Sequence, residues 1–231
     1  MSVEVAAAVL LIGVPIAFNV AFFELGRTFD YPNILREPPD VILRRFAAGG
    51  TPLVVRWHAM ALSALAMLPL AVLLAHALDA DATLSTAAIV VGSAAAMVQA
   101  LGLIRWPFAV PELARRYVEA DGPNGAAVRE SIEVVFATLH RLLGVAIGEH
   151  LGYLLTGAWT LLTAVSIVTT SALAPWLGWV GIPIGAALLI GSLEFVGPNE
   201  RAGWSLAGTI VPIAYIAWSA WLVALGVALL L

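Results

Sequence analysis

The stretch HRLLGVAIGEHLGYLLTGAWTLLT, residues 140–163, decides the fold class. Read as a helix it reaches about 36 Å, more than the ~30 Å hydrocarbon core of a bilayer. It is apolar enough to be a membrane helix, yet it carries His140, Arg141, Glu149, His150 and Tyr153, and glycines at 144, 148, 152 and 157. Each ionisable group inside a membrane costs roughly 2.5–3.5 kcal/mol on insertion scales, so such groups face the bundle interior and pair there. This segment therefore predicts neighbouring helices, not a lone anchor.

The rest of the chain supplies them. Of 231 residues, 61% are apolar and 11% charged, and the mean hydropathy is +0.98. A soluble domain has about 25% charged residues, so the chain belongs to the membrane class. Spans are expected at 3–24, 52–77, 83–108, 143–169, 177–196 and 206–231. The expected fold is all-α: a six-span transmembrane bundle forming a single integral membrane domain, 1–231. The first run lacks a basic n-region, has Glu4 instead and is long enough to span, so it reads as a helix rather than a signal peptide.

Short interfacial helices are expected in loops 1–2 and 3–4. Pro38-Pro39-Asp40 is a helix start, and 41–48 (VILRRFAA) forms two turns before Gly49-Gly50. Pro107 and Pro111 bend the chain ahead of a surface helix, PELARRYVEA. The segment 126–169 reads either as one long helix or as two with a hinge near Gly144.

Several function classes are excluded. There are no cysteines, hence no disulfides, thiolate metal sites or cysteine nucleophiles. All eleven basic residues are arginines, so lysine chemistry is absent. No basic patch suits nucleic acid. All the arginines lie in or near loops 1–2, 3–4 and 5–6. The positive-inside rule makes that side cytoplasmic and puts both termini outside, as expected of a multi-pass protein of a cytoplasmic (inner) membrane.

Depth counting brings polar residues of several spans into one leaflet: Arg56 and His58, Arg105, Glu149, His150 and Tyr153, and Glu194. This set is the candidate ligand site. Arg56 and Arg105 supply positive charge for an anionic group, and Glu149 with His150 a proton- or cation-responsive pair. Arg56 and Arg105 also fit a plainer role, snorkelling to the interface beside Trp57 and Trp106 in an aromatic belt. On a helical wheel, Tyr153, Thr156 and Thr160 fall within about 40° of Glu149, Thr163 lies about 40° to the other side, and His150 about 100° away. Thr156, Thr160 and Thr163 thus extend a polar stripe, which carries either a water path or hydroxyls bonded back to the carbonyls one turn earlier. Gly144, Gly148 and Gly152 form a seam beside it that admits a close neighbour, within the chain or in a homo-oligomer.

A metal held by His58, Glu149, His150 and Glu194 is chemically allowed, but no HExxH or repeated ExxH motif supports it. No cofactor is assigned. The readings are therefore binding or transport of a small molecule, ion or lipid headgroup in the bilayer; a membrane-embedded metal- or haem-dependent enzyme; or a structural or regulatory membrane partner.

Four segments carry a resemblance: FDYPNILREPPDVILRRFAAGG (29–50), LGLIRWPFAVPELARRY (101–117), VVFATLHRLLGVAIGEHLGYLLTGAWT (134–160) and APWLGWVGIPIGAALLIGSLEF (174–195). They resemble a family of bacterial membrane proteins catalogued as domain-of-unknown-function family 4386. The resemblance covers nearly the whole chain and implies a six-span bacterial membrane protein. It implies no activity and no catalytic residue.

Overall fold

A computed structural model of the chain describes residues 2–231. Among them there is no strand. The helices are α1 (Val3–Phe29), α2 (Pro39–Leu65), α3 (Met67–Leu78), α4 (Ala82–Glu119), α5 (Gly125–Leu139), α6 (Gly152–Thr169), α7 (Pro175–Gly191) and α8 (Ser205–Ala228), with a π-helical segment, His140–Leu151, joining α5 to α6. Five helical runs are long and apolar enough to cross a membrane: α1, α2 with α3, α4, α5 through α6, and α8. The remaining helix, α7, has 17 residues, at the lower limit for a span. It stops short of the expected 196 because residues 192–196 turn, and the Trp204 amide donates to the Glu194 carbonyl at 2.7 Å.

Local chemistry explains the main breaks. Ser2 caps α1 by accepting from the Val5 amide at 3.3 Å. Gly50 sits at φ 55°, ψ −156°, inside what is otherwise helix from Pro39. Only glycine adopts that backbone at little cost, so the interfacial turns before it are set at an angle to the span after it. The expected surface helix PELARRYVEA is not a separate element. Pro107 and Pro111 lie inside α4, which runs on without interruption to Glu119. A proline costs a helix one backbone bond, and packing on both sides holds the helix together. Likewise 126–169 is continuous, its turns widened to π geometry over 140–151 instead of hinged at Gly144.

Two apolar cores stack along the bundle. One, around Trp159, Trp218 and Trp221, joins Leu11, Leu74, Leu177 and Leu225. The other, toward the arginine-bearing loops, joins Phe29, Phe46, Trp57, Trp106 and Phe136. Trp57 and Trp106 stack at 4.4 Å with planes 10° apart and are 0% and 1% exposed. They are core residues, not an interfacial belt, because helices α2 and α4 turn these faces toward each other.

Glycines set the closest approaches. A Cβ on Gly102 of α4 would stand 2.6 Å from the Gly148 Cα. A Cβ on Gly157 would stand 2.8 Å from the Gly185 carbonyl oxygen of α7. Backbones this close permit no larger residue, the usual way membrane helices gain packing.

Candidate functional site

The π segment is the centre of the polar region. It is bonded i to i+5 and is wider than an α-helix, a geometry found mostly as short bulges at functional sites. Its bare glycine face lies on α4. A Cβ on Gly144 would meet the Arg105 guanidinium at 2.6 Å, and one on Gly152 would meet Gln99 Cγ at 3.1 Å. The glycines therefore make room for the two long polar side chains of α4.

Arg105 is buried at 6% exposure. Its Nη1 donates to the Gly102 carbonyl, its guanidinium carbon lies 5.2 Å from the Trp106 ring centre, and its Nε has no partner. Glu149 is half-buried, and its Oε2 also lacks a partner. The carboxylate lies within electrostatic reach of Arg36, Arg105 and Arg141, and of Glu194. Tyr31 lies within reach of the Glu149, Arg105 and Arg36 charges. Tyr153 meets Tyr215 edge to face at 5.4 Å, and the Tyr215 hydroxyl has no bond of normal geometry. Five elements thus contribute to one cluster: Tyr31 after α1, Arg105 from α4, Glu149 from the π segment, Tyr153 from α6 and Tyr215 from α8.

Glu194 caps this cluster at the surface. It pairs with Arg36 at 3.2 Å, and Arg36 stacks on Phe195 at 4.5 Å. The contact joins the loop after α1 to the loop after α7. Burial raises the Glu194 carboxyl above its ordinary range, and Arg36 opposes this.

Other expected members lie elsewhere. Arg56 pairs with Glu24 of α1 at 3.6 Å. His58 faces Phe108 at 6.1 Å, and its Nδ1 is unpartnered. Neither makes a hydrogen bond or ion pair with Glu149 among the described residues. His150 turns away from Glu149: its Nδ1 donates to the Ser192 carbonyl at 2.7 Å, and no hydrogen bond or ion pair joins the two among the described residues. Consecutive helical residues point far apart, so a Glu149–His150 pair does not form. Among the described residues no three histidines or carboxylates gather to hold a metal ion, and the set His58, Glu149, His150 and Glu194 is not assembled.

The threonine stripe is buried. Thr156, Thr160 and Thr163 are 0%, 0% and 2% exposed. Thr156 accepts from Gln99 at 2.7 Å, Thr160 donates to the Thr156 carbonyl at 2.7 Å and accepts from Trp218 at 2.9 Å. The Thr156 hydroxyl thus ties α6 to α4, and that of Thr160 ties it to α8.

Sequence reasoning missed Tyr31, Arg36 and Tyr215. The available signal for Tyr215 was a polar-tipped aromatic in mid-span; for Tyr31 and Arg36 it was their place in the quoted segment 29–50.

These residues fall within one family match, which reaches into every helix of the bundle. The chain belongs to the family described as Domain of unknown function (DUF4386), whose model matches residues 6–226. No curated protein and no solved structure matches it. The match takes in Arg105, Glu149, Tyr153 and Glu194 together with Tyr31, Arg36 and Tyr215.

Proposed function

We propose that this membrane protein binds a small charged or polar molecule between its helices, in the half of the bundle that carries the arginines, and that it carries such a molecule toward or across the bilayer. One observation supports this above the rest: Arg105 Nε and Glu149 Oε2 are buried in one neighbourhood without protein partners. A buried polar atom left unpaired costs about 1–3 kcal/mol, more when charged, and a ligand bearing both donors and acceptors would offset that cost. Arg105 supplies the positive pole and Glu149 the negative one. The arginine-bearing side is cytoplasmic on the positive-inside rule, with both termini outside.

Native mass spectrometry of the purified full chain tests the reading. Wild-type protein retains a small-molecule adduct, and Glu149→Gln and Arg105→Gln each shed it, with occupancy falling about tenfold for the loss of one charged hydrogen bond. Folded wild-type and variant proteins with the same adduct-free spectrum would overturn it.

A further inference from the structure

A second polar feature lies outside the Arg105–Glu149 cluster. A cleft of about 310 Å³ opens where the loop after α1, the start of α2, the α5–π junction and the loop before α8 meet. Its polar wall is Arg36, His140, Arg141 and Arg201, and Glu37 is the one carboxylate in its lining. Leu35, Ile42 and Val145 form an apolar wall beside them.

The charges are available to a ligand. Arg141 is exposed and belongs to no salt bridge among the described residues. Arg201 is held only by its neighbour Glu200 at 3.7 Å, both well exposed. Arg36 is paired with Glu194, but its side chain is 54% exposed. Exposed pairs of this kind are weak and exchange partners readily. His140 stacks on Phe136 at 5.8 Å with planes 17° apart. Its Nδ1 is buried without a partner, a further polar atom at the inner edge of the cleft. Three guanidinium groups around one space suit a tetrahedral oxyanion, because each offers a planar fork to phosphate oxygens.

We infer that this cleft binds a phosphate group, held by Arg36, Arg141 and Arg201, with the rest of the molecule lying along Leu35, Ile42 and Val145. Phosphate in this place has two sources, the headgroup of an anionic phospholipid and a soluble phosphate ester. The lining of the cleft includes neither Arg105 nor Glu149, although the charges of Arg36 and Arg141 reach Glu149.

The test uses the full chain purified in detergent. One arm adds phosphatidylglycerol or phosphatidylcholine and counts bound lipid by native mass spectrometry. The other titrates inorganic phosphate by calorimetry. Each is run on wild type, Arg141→Gln, the Arg141→Gln/Arg201→Gln double variant, Arg27→Gln and Glu149→Gln. Arg27 is an exposed arginine of the same side, outside the cleft. Preferential retention of phosphatidylglycerol, weakened about tenfold in Arg141→Gln and further in the double variant, supports the inference and identifies a lipid. Saturable phosphate binding with the same variant pattern supports it and identifies a soluble ester. Binding in neither arm overturns it, as does equal weakening by Arg27→Gln. Glu149→Gln, which removes a negative charge within reach of Arg36 and Arg141, does not weaken cleft binding, so failure of the inner cluster and failure of the cleft are read separately.

Discussion

The two stacked cores contain the same kind of residue and treat it differently. In the core around Trp159, the indole of Trp218 donates to Thr160 at 2.9 Å and that of Trp221 to the Leu177 carbonyl at 2.8 Å. In the core toward the arginines, Trp57 is buried as deeply, yet its Nε1 has no partner. Arg105 Nε, His140 Nδ1, His58 Nδ1 and Glu149 Oε2 on that side lack partners as well; the exceptions are Thr170 Oγ1, toward the other end, and the Tyr215 hydroxyl, packed on the Trp159 core. Buried polar groups in folded proteins are nearly all paired. A bundle that ties down Trp218 and Trp221 meets this rule more fully in one half than in the other. On the proposed function, the first half is the scaffold and the second is the half that holds the ligand.

The largest effect expected from this contrast comes from the seam that supports the polar half. Gly148→Leu would push a side chain into the Gly102 backbone, 3.2 Å from a Cβ at that position. It should destabilise the protein by about 3 kcal/mol or more, read as a lowered melting temperature in detergent or as lost recovery of folded protein. Gly13→Leu, where a Cβ meets nothing within 4 Å, should leave both readouts near wild type. Equal effects at the two positions would remove the seam from the account.

A smaller effect addresses the indoles directly. Trp218→Phe and Trp57→Phe remove similar apolar surface, but only the first breaks a hydrogen bond. Trp218→Phe should therefore be the costlier change, by about 1 kcal/mol, in matched thermal melts. A larger loss from Trp57→Phe would break the comparison.

The smallest effect concerns Glu194. Its carboxyl is raised from the ordinary value of 4.5 by burial. A raised acid binds its proton more tightly folded than unfolded. Its contribution to stability is therefore greatest below the ordinary value and is lost as pH rises through the raised one. Glu194→Gln should flatten that decline, by less than about 1 kcal/mol, because its partner Arg36 is 54% exposed and well screened. Wild-type and variant melting temperatures that run parallel across this range would refute the assignment.

What could be read along the chain was what is local. Apolar runs near twenty residues specify membrane helices because the bilayer fixes their length. Gly49-Gly50 marked the break in α2, because φ near 55° at Gly50 is a one-residue property. The gathering of arginines at alternate loops needs only counting. The site was less legible. Depth placed Arg105, Glu149, Tyr153 and Glu194 in one leaflet, but it placed Arg56 and His58 there too, and depth says nothing of azimuth.

Sequence by itself therefore determined that this protein is a helical membrane bundle with its charge at one end, since hydropathy and helical rise act residue by residue. Tertiary structure alone decided that Trp57 and Trp106 stack inside it, that His150 turns to Ser192 while Glu149 turns to the Arg105 side, and that Tyr31 and Tyr215 join them. Those outcomes depend on how far each helix is rotated and how closely neighbours approach. Side-chain packing across α1, α4, the π segment and α8 sets both, over separations that no local pattern records.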